Sequence, residues 1–172
     1  MRFFLSLLLL SLIFCTPVTS EQKIVFVDMD KLVSVSKAGS SIFNQLKDVN
    51  KNNLSFLKNE EKKFKEKEKK LISQKNIISD ADFQKKIDQL KSEIKTYNQN
   101  RKKMIEKFDK LKVKNTNDFL KLINLILVKF SNDNEISIIL QKKDLIMGKT
   151  ELDITDQVIK IINNEIKEFK IK

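Results

Sequence analysis

No glycine or proline occurs between residues 41 and 130, and this stretch is dense in Lys, Glu, Gln and Asn. Such a composition is typical of long helices exposed to solvent. In the second half of the stretch, apolar residues recur in alternating steps of four and three, which is the spacing of a coiled coil. The predicted seam consists of Phe83, Ile87, Leu90, Ile94, Tyr97, Arg101, Met104, Phe108 and Leu111.

The first half of the stretch carries a separate repeat with a strict seven-residue step. Its members are Phe43, Asn50, Leu57, Phe64, Leu71 and Ile78, with the mostly polar companions Leu46, Asn53, Glu60, Lys67 and Gln74. The two repeats do not share one register, and Ser79 followed by Asp82 has the form of a helix N-cap. We therefore predict a turn at residues 79–82 that folds the second helix back on the first, with each arm about 60 Å long.

The hairpin also predicts which residues face each other, because opposed positions have numbers that sum to 161. The arm-seam pairs are Leu71 with Leu90, Phe64 with Tyr97, and Leu57 with Met104. The same rule sets Glu60 against Arg101 as an ion pair. Polar residues enter the seam in alternate layers, so the arm buries little area. The hairpin is either a merely adequate coiled coil or an arm that has to flex.

The segments that flank the arm read as a small β-rich body. Residues 23–27 predict a buried strand, and residues 136–140 and 145–147 predict two short strands joined by a polar turn. Helical spacing follows after Thr150, with Asp153 or Thr155 as the cap. The predicted fold class is therefore α+β, with residues 21–40 and 131–172 as a discontinuous body and residues 41–130 as the arm.

A body of this size is too small to be secure alone. The flanking segments 21–37 and 131–172 total 59 residues, and such cores usually need disulfides, metals or oligomerisation. Oligomerisation through the strands is the remedy left to this chain. The residues expected to be buried in a shared body are Ile24, Phe26, Ile138 and Leu140.

The first twenty residues predict a cleaved export signal rather than a membrane anchor. Arg2 precedes an apolar run, residues 3–14, and small residues lead to Ser20. The run is too short for a comfortable membrane span. Removal of residues 1–20 would take away Cys15, the only cysteine, and the chain has no histidine. Zinc sites of the Cys/His kind and Cys–His chemistry are thereby excluded.

Other catalytic chemistry is equally poorly supplied. Two glycines cannot build a glycine-rich phosphate loop, so an ATP-driven activity is not expected. An apolar strand that runs into Asp28 and Asp30 is how some phosphatases present a nucleophile. A haloacid-dehalogenase-type enzyme would want Thr or Val where Leu32 stands. The pair is therefore predicted to mark the strand end and a helix start capped by Asp30. We expect no enzyme activity, metal or cofactor.

The charge of the chain belongs to the arm. Residues 41–130 hold 23 Lys and Arg against 12 Asp and Glu, a net charge of +11. This excess favours anionic partners such as lipid head groups, lipopolysaccharide or acidic polypeptide, or else only keeps the arm soluble. Nucleic acid is not expected as a partner, because export would separate the protein from nucleic acid. In addition, no aromatic stacking platform interleaves with the lysines. The candidate contacts beside the predicted turn are Lys69, Lys70, Lys75, Lys85 and Lys86.

Taken in order, the export signal, KIVFVDMDKLV, the basic hairpin, EISIIL and LDITDQVIKII resemble the Skp (OmpH-like) family of periplasmic chaperones. The opening strand and residues 153–159 carry the most specific part of the resemblance. It implies a jellyfish-like homotrimer whose strands form a body and whose arms surround a cavity. It also implies a periplasmic location, unfolded outer-membrane proteins as clients held without ATP, and contact with anionic lipid or lipopolysaccharide.

Two other classes of function fit the residues alone. One is an exported coiled-coil protein that tethers anionic surfaces of the cell envelope. The other is a nucleic-acid binder, given the basic arm. Solubilisation of an unfolded outer-membrane protein without ATP would separate the chaperone from both.

Overall fold

A computed structural model of the protein describes residues 22–172, so the predicted export signal and Cys15 lie outside the described residues. The described residues form two strands and four helices, with two short 3-10 turns at Lys142–Asp144 and Thr150–Leu152. In order they are β1 (Lys23–Val27), α1 (Met29–Val35), α2 (Lys37–Gln74), α3 (Asp80–Asp133), β2 (Ile136–Gln141) and α4 (Thr155–Glu165). The α+β fold class with a long helical hairpin is confirmed.

The two strands pair in parallel, and the whole hairpin is the connection between them. Ile24 lies beside Ile138 and Phe26 beside Leu140, after a bulge near Lys23. Because side chains alternate along a strand, Val25 and Val27 point from one face of the sheet into the core. Ile24 and Phe26 lie on the opposite face.

The predicted strand at residues 145–147 is wrong. The chain leaves the sheet in the turn Lys142–Asp144, which the Leu145 amide closes by donating to the Lys142 carbonyl at 3.2 Å. The sheet of the described chain has only two strands. Residues 145–147 therefore have no ladder partner there, and the side chains of Ile146 and Met147 are exposed.

The first helix begins two residues earlier than predicted. Asp28, not Asp30, caps α1, and its carboxylate accepts the Lys31 amide at 2.8 Å. α1 then turns into α2 at Ser36, whose hydroxyl accepts the Gly39 amide. A Cβ at position 39 would lie 1.7 Å from the Val33 carbonyl oxygen, so this tight corner requires glycine.

Ser79 caps α3 as the N-cap pattern predicts, but the turn itself occupies residues 75–79 rather than 79–82. α2 ends at Gln74, and the Ser79 hydroxyl caps α3 by accepting the Asp82 amide at 3.2 Å. The same hydroxyl donates to the Asp82 carboxylate at 2.7 Å. With 38 residues, α2 is about 57 Å long at 1.5 Å per residue.

Near the body, the seam of α2 differs from the predicted repeat. Phe43 is 67% exposed, and the residue turned inward is its neighbour Ile42. Asn50 is likewise exposed, whereas Val49 is half-buried. A straight helix has 3.6 residues per turn, so it drifts away from a strict seven-residue repeat over several heptads. The predicted repeat therefore matches the observed seam near Phe64 and differs from it by one residue at the arm root.

The hydrophobic core crosses the boundary predicted at residue 130. Phe119 and Ile123 of α3 are almost fully buried and pack with Leu32, Val158 and other residues of the body. The body is thus not built from the flanks alone, since the arm roots complete its core. A C-terminal tail after α4 also packs here, with the Phe169 ring 5.8 Å from that of Phe119.

We predict that cysteines at positions 57 and 104 will form a crosslink within one chain. Phe64 and Tyr97 are in ring contact two turns nearer the tip, and Asn53 and Phe108 line one groove nearer the root. Leu57 and Met104 lie between these layers, and a disulfide needs α-carbons within about 7 Å. Non-reducing electrophoresis with peptide mapping measures the crosslink. Preferential crosslinking of a distant pair, positions 57 and 83, would contradict the register.

Candidate functional site

The arm seam is held by a mixture of aromatic and polar contacts. The rings of Phe64 and Tyr97 meet edge to face with centroids 5.3 Å apart. The Tyr97 hydroxyl donates to the Glu61 carboxylate at 3.0 Å. Burial and the neighbouring Glu61 carboxylate raise the pKa of Tyr97 above its ordinary value, so the hydroxyl stays protonated and keeps donating. The contact therefore links the two helices at neutral pH.

The predicted ion pair between Glu60 and Arg101 does not form. The Glu60 carboxylate instead contacts Lys63 at 2.6 Å, one turn along its own helix. Lys63 reaches it without crossing the hairpin, and Arg101 is exposed. The ion pair that does cross the described hairpin joins Lys67 and Glu93 at 2.5 Å. The Lys67 side chain predicted opposite Ile94 thus turns to the adjacent carboxylate.

The candidate tip lysines flank the hairpin turn, as their sequence positions require. All five are exposed, and none has a carboxylate within 4 Å among the residues that the structure describes. Lys86 donates to the Gln74 side-chain oxygen at 2.8 Å, and this neutral contact leaves its charge uncompensated. The tip therefore presents five unpaired lysines, with the Asp80 and Asp82 carboxylates nearby in the first turn of α3.

The candidate body residues divide into two groups. Ile24, Ile138 and Leu140 lie on the outer face of the sheet and are each about 40% exposed in the single chain. Phe26 belongs to the same face but is buried within its own chain. Its ring lies under the segment that contains Gly148, where a Cβ would approach it to 2.6 Å. The Lys142 ammonium lies 5.9 Å from the centre of the same ring.

Asp28 at the end of β1 forms a structural network with Asp153 and Thr155 at the start of α4. The Asp28 amide donates to the Thr155 hydroxyl at 2.9 Å, and that hydroxyl in turn donates to Asp153. Asp153 also accepts the Lys142 ammonium at 2.9 Å, which ties the 3-10 turn to the same point. Within residues 22–172, no three metal-ligating side chains come together as a metal site would require. The structure thus gives Asp28 a place in the backbone junction.

The environment of Asp153 favours its charged form. Partial burial works to raise the pKa of this carboxyl, but bonds from Lys142 and Thr155 outweigh burial and lower the pKa below its ordinary value. The pKa of Lys142 is raised, chiefly by its hydrogen bond to Asp153. Both groups are therefore charged at neutral pH, and the Asp153 contribution to stability is present above its unfolded pKa and is lost as pH falls through the lower, folded one.

We predict that Asp153→Asn will lower the free energy of unfolding by about 1–3 kcal/mol at pH 7, because it weakens charge-assisted hydrogen bonds. The deficit relative to wild type should shrink as pH falls below about 4, where the wild-type carboxylate is itself protonated. Urea unfolding followed by circular dichroism at pH 7, 5 and 3 measures both. Asp109→Asn, on the exposed arm, is the control. A deficit that stays constant down to pH 3 would contradict the linkage.

Sequence reasoning missed the clamp that the C-terminal tail makes on the arm root. Asn115 of α3 is buried, and its side chain accepts the Lys172 amide at 3.0 Å and donates to the Lys172 carbonyl at 3.3 Å. Gln45 of α2 donates to the Phe169 carbonyl at 2.7 Å. The signal available was the continuation of the seam beyond Leu111 to Asn115 and Phe119. The polar Asn115 interrupts the apolar pattern that a search for core residues follows.

These features define a class of protein: a small body with a parallel two-stranded sheet, from which a long basic helical hairpin extends. Among residues 22–172, no helix is both long and apolar enough to cross a membrane. A family model described as outer membrane protein (OmpH-like) matches residues 23–162. The chain belongs to this OmpH-like family, and the resemblance drawn from its motifs is confirmed.

A solved structure has the same fold. It is that of a candidate outer membrane chaperone (OmpH-like) from Caulobacter crescentus CB15, with a TM-score of 0.83 and 15% sequence identity. The similarity covers 91% of this chain and 93% of the other. No protein of curated function matches the chain in sequence. At this identity the similarity establishes the architecture, body and hairpin together.

Proposed function

We propose that this protein is a periplasmic chaperone that encloses unfolded outer-membrane proteins between its arms and acts without ATP. The observation that carries the proposal is the surface of the arm, where large apolar side chains stand exposed among unpaired lysines. Leu54 is 59% exposed, Ile72 65% and Phe43 67%. Exposed apolar groups on a highly charged, soluble helix suit many weak contacts with an unfolded chain. Family membership and the similar fold of the Caulobacter protein support the same role.

We further propose that three copies assemble through the sheet, with export by a cleaved signal at residues 1–20. Three apolar side chains on the outer face of a two-stranded sheet support the assembly, as does β2, which pairs with β1 on one side only. An unpaired strand edge with an apolar face beside it is a ready site for another strand. Three arms that hang from one body would surround a client from several sides.

Capture would then depend on the number of contacts rather than on the strength of any one. A nascent barrel protein is apolar at alternate residues and prone to aggregate through its unpaired strands. Exposed charge contacts are each worth well under about 1 kcal/mol. Contacts distributed over connected arms nevertheless raise the total affinity by effective concentration. Release requires no nucleotide, because folding of the client into the membrane is downhill.

The deciding experiment dilutes a urea-unfolded outer-membrane barrel protein into buffer with residues 21–172, without nucleotide, and follows aggregation by light scattering. We expect aggregation to be suppressed at a molar ratio of about one assembly per client molecule. Addition of ATP should not change the degree of suppression. A soluble folded protein of similar charge, such as lysozyme, controls for the effect of basic protein alone. Equal aggregation with and without the chain would refute the chaperone proposal.

The unpaired charge of the tip favours a second candidate function, attachment to anionic surfaces of the envelope. Raising the ionic strength to 0.15 M contracts the screening length to about 8 Å, which should slow client encounter more than it weakens the complex. A tether would depend on the tip lysines more than a chaperone does, because it has no apolar client to hold.

We predict that glutamine at all five tip positions will weaken co-sedimentation with anionic vesicles severalfold while leaving the oligomeric mass unchanged. The reason is that these lysines are exposed, unpaired and far from the sheet. A matched control replaces five exposed arm lysines away from the tip: Lys51, Lys102, Lys103, Lys107 and Lys110. Equal losses in both variants would show that net charge, not the tip, determines binding. Unchanged vesicle binding and client capture would leave the tip lysines as solubility residues.

A further inference from the structure

The two long sides of the hairpin have different chemistry. On one side, a groove of about 520 Å³ near the tip is lined largely by apolar residues of both helices, among them Ile72, Ile87 and Ile94. Its lining also includes Glu61, Lys65, Glu68 and Lys91. A second groove of about 550 Å³ at the arm root is lined largely by apolar residues, including Phe43 and Leu46, with Lys112 and Thr116 at its edge. We call this side, which contains both grooves, the apolar side.

The helical period extends the apolar side along the whole arm. Residues 11 or 18 positions apart lie within about 20° of each other on a helix. Leu54 is 11 positions from Phe43 and 18 from Ile72, so all three belong to one stripe of α2. Ile105 is 11 positions from Ile94 and extends the facing stripe of α3. Leu54 and Ile105 are both about half exposed or more.

The opposite side of the hairpin is polar and largely satisfied by its own contacts. Its groove of about 530 Å³ is lined by Glu60, Lys63, Lys67, Glu93, Thr96 and other residues. The Lys67–Glu93 ion pair spans this groove. Phe56 is 51% exposed beside this groove. Nearer the root, a groove of about 660 Å³ on the same side is lined by Met104, Phe108 and Leu111 together with Asn53, Lys103 and Lys107. We call this the polar side.

We propose that the apolar side is the surface against which the client lies, and that its occupant is an extended segment of unfolded polypeptide with acidic residues among apolar ones. This inference rests on the proposed chaperone function and assigns its binding surface. The polar side is the outward, solvated side of the arm.

The dimensions and charges of the apolar side favour this occupant. The stripe from Phe43 to Ile72 is about 44 Å long, which matches about 13 residues of extended chain. Charged residues interrupt the stripe: Lys47, Lys58 and Lys65, together with Glu61 and Glu68, which line the groove near the tip. None of the three lysines has a carboxylate within 4 Å among the described residues. A bilayer or a second helix would need a more continuous apolar face. A flexible chain can place acidic groups beside the lysines and apolar groups between them.

Positions 54 and 56 provide a matched test, because two residues on a helix are separated by about 200°. A photoreactive phenylalanine analogue at position 54 should crosslink to a bound, urea-diluted outer-membrane barrel protein several times more than one at position 56. Equal client crosslinking from the two positions would overturn the assignment of sides. Crosslinking from position 54 to a second copy of the chain, or to vesicle lipid in place of client, would overturn the assignment of the occupant.

A second variant set tests the energetic contribution. Serine at positions 43, 54 and 72 should weaken client affinity by roughly tenfold, because each site loses apolar contact. Phe56→Ser should leave affinity within about twofold of wild type, because a single exposed site outside the binding surface contributes little. If wild type holds the client and the triple variant holds it equally well, the side assignment fails while the chaperone function stands. If wild type itself holds no client, the function fails first.

Discussion

We expect Ile138→Asp to abolish assembly while leaving the single chain folded. Ile138 is 44% exposed in one chain, beside Ile24 in the parallel ladder and two residues from Leu140. A carboxylate there is solvated in the separate chain and so costs little. In an assembly that covers this face, the same charge would be buried without a partner, at a cost of several kcal/mol. The structure therefore predicts dissociation rather than unfolding of the body.

Light scattering measures the mass, and circular dichroism measures the helix content that should survive. Val113→Asp is the control, because Val113 is 58% exposed but lies on the arm, away from the sheet. The dissociated variant should also lose most client capture, since separate arms no longer share a client. A wild-type mass for Ile138→Asp would refute assembly through this face. A monomeric mass for the wild type would refute the proposed trimer directly.

The long-range contacts of the arm were predictable because they follow from periodicity alone. A repeat on each helix and one capping serine suffice to set Phe64 against Tyr97, which are 33 residues apart in sequence. Side chains three or four residues apart share a face of the helix whatever else the chain does. The error at Phe43 has the same origin, because a small drift per heptad accumulates toward the root.

The body was less predictable, because its contacts depend on tertiary geometry rather than on a repeat. Residues 145–147 are as apolar as a strand, yet a strand also needs an edge to pair with. Asn115 gave no apolar signal, although it is buried where the tail crosses the arm root. The Glu60–Arg101 prediction was wrong, because Glu60 pairs instead with Lys63, one turn along its own helix. Each failure is a local competition that sequence spacing does not decide.

The second large effect is expected at the arm root, where Phe119→Ala should lower the free energy of unfolding by about 3–5 kcal/mol. Phe119 is 1% exposed and belongs to the core cluster that joins α2, α3 and α4. Its ring also meets Phe169 of the tail edge to face at 5.8 Å, a contact that alanine removes. Because the substitution leaves a cavity, the loss exceeds that of burial alone.

Phe56→Ala is the matched control, since the same side chain is removed from an exposed site, and it should change stability by no more than about 0.5 kcal/mol. Urea unfolding followed by circular dichroism measures both variants. A loss for Phe119→Ala as small as that for Phe56→Ala would mean that the root core does not hold the arm.

Domains of this kind are stable by only about 5–15 kcal/mol, so the expected loss is a large share of the total. α3 runs unbroken from the body to the tip, so a weakened root loosens the orientation of the whole arm. Client capture should therefore fall with Phe119→Ala even where the sheet, and with it the assembly, remains intact.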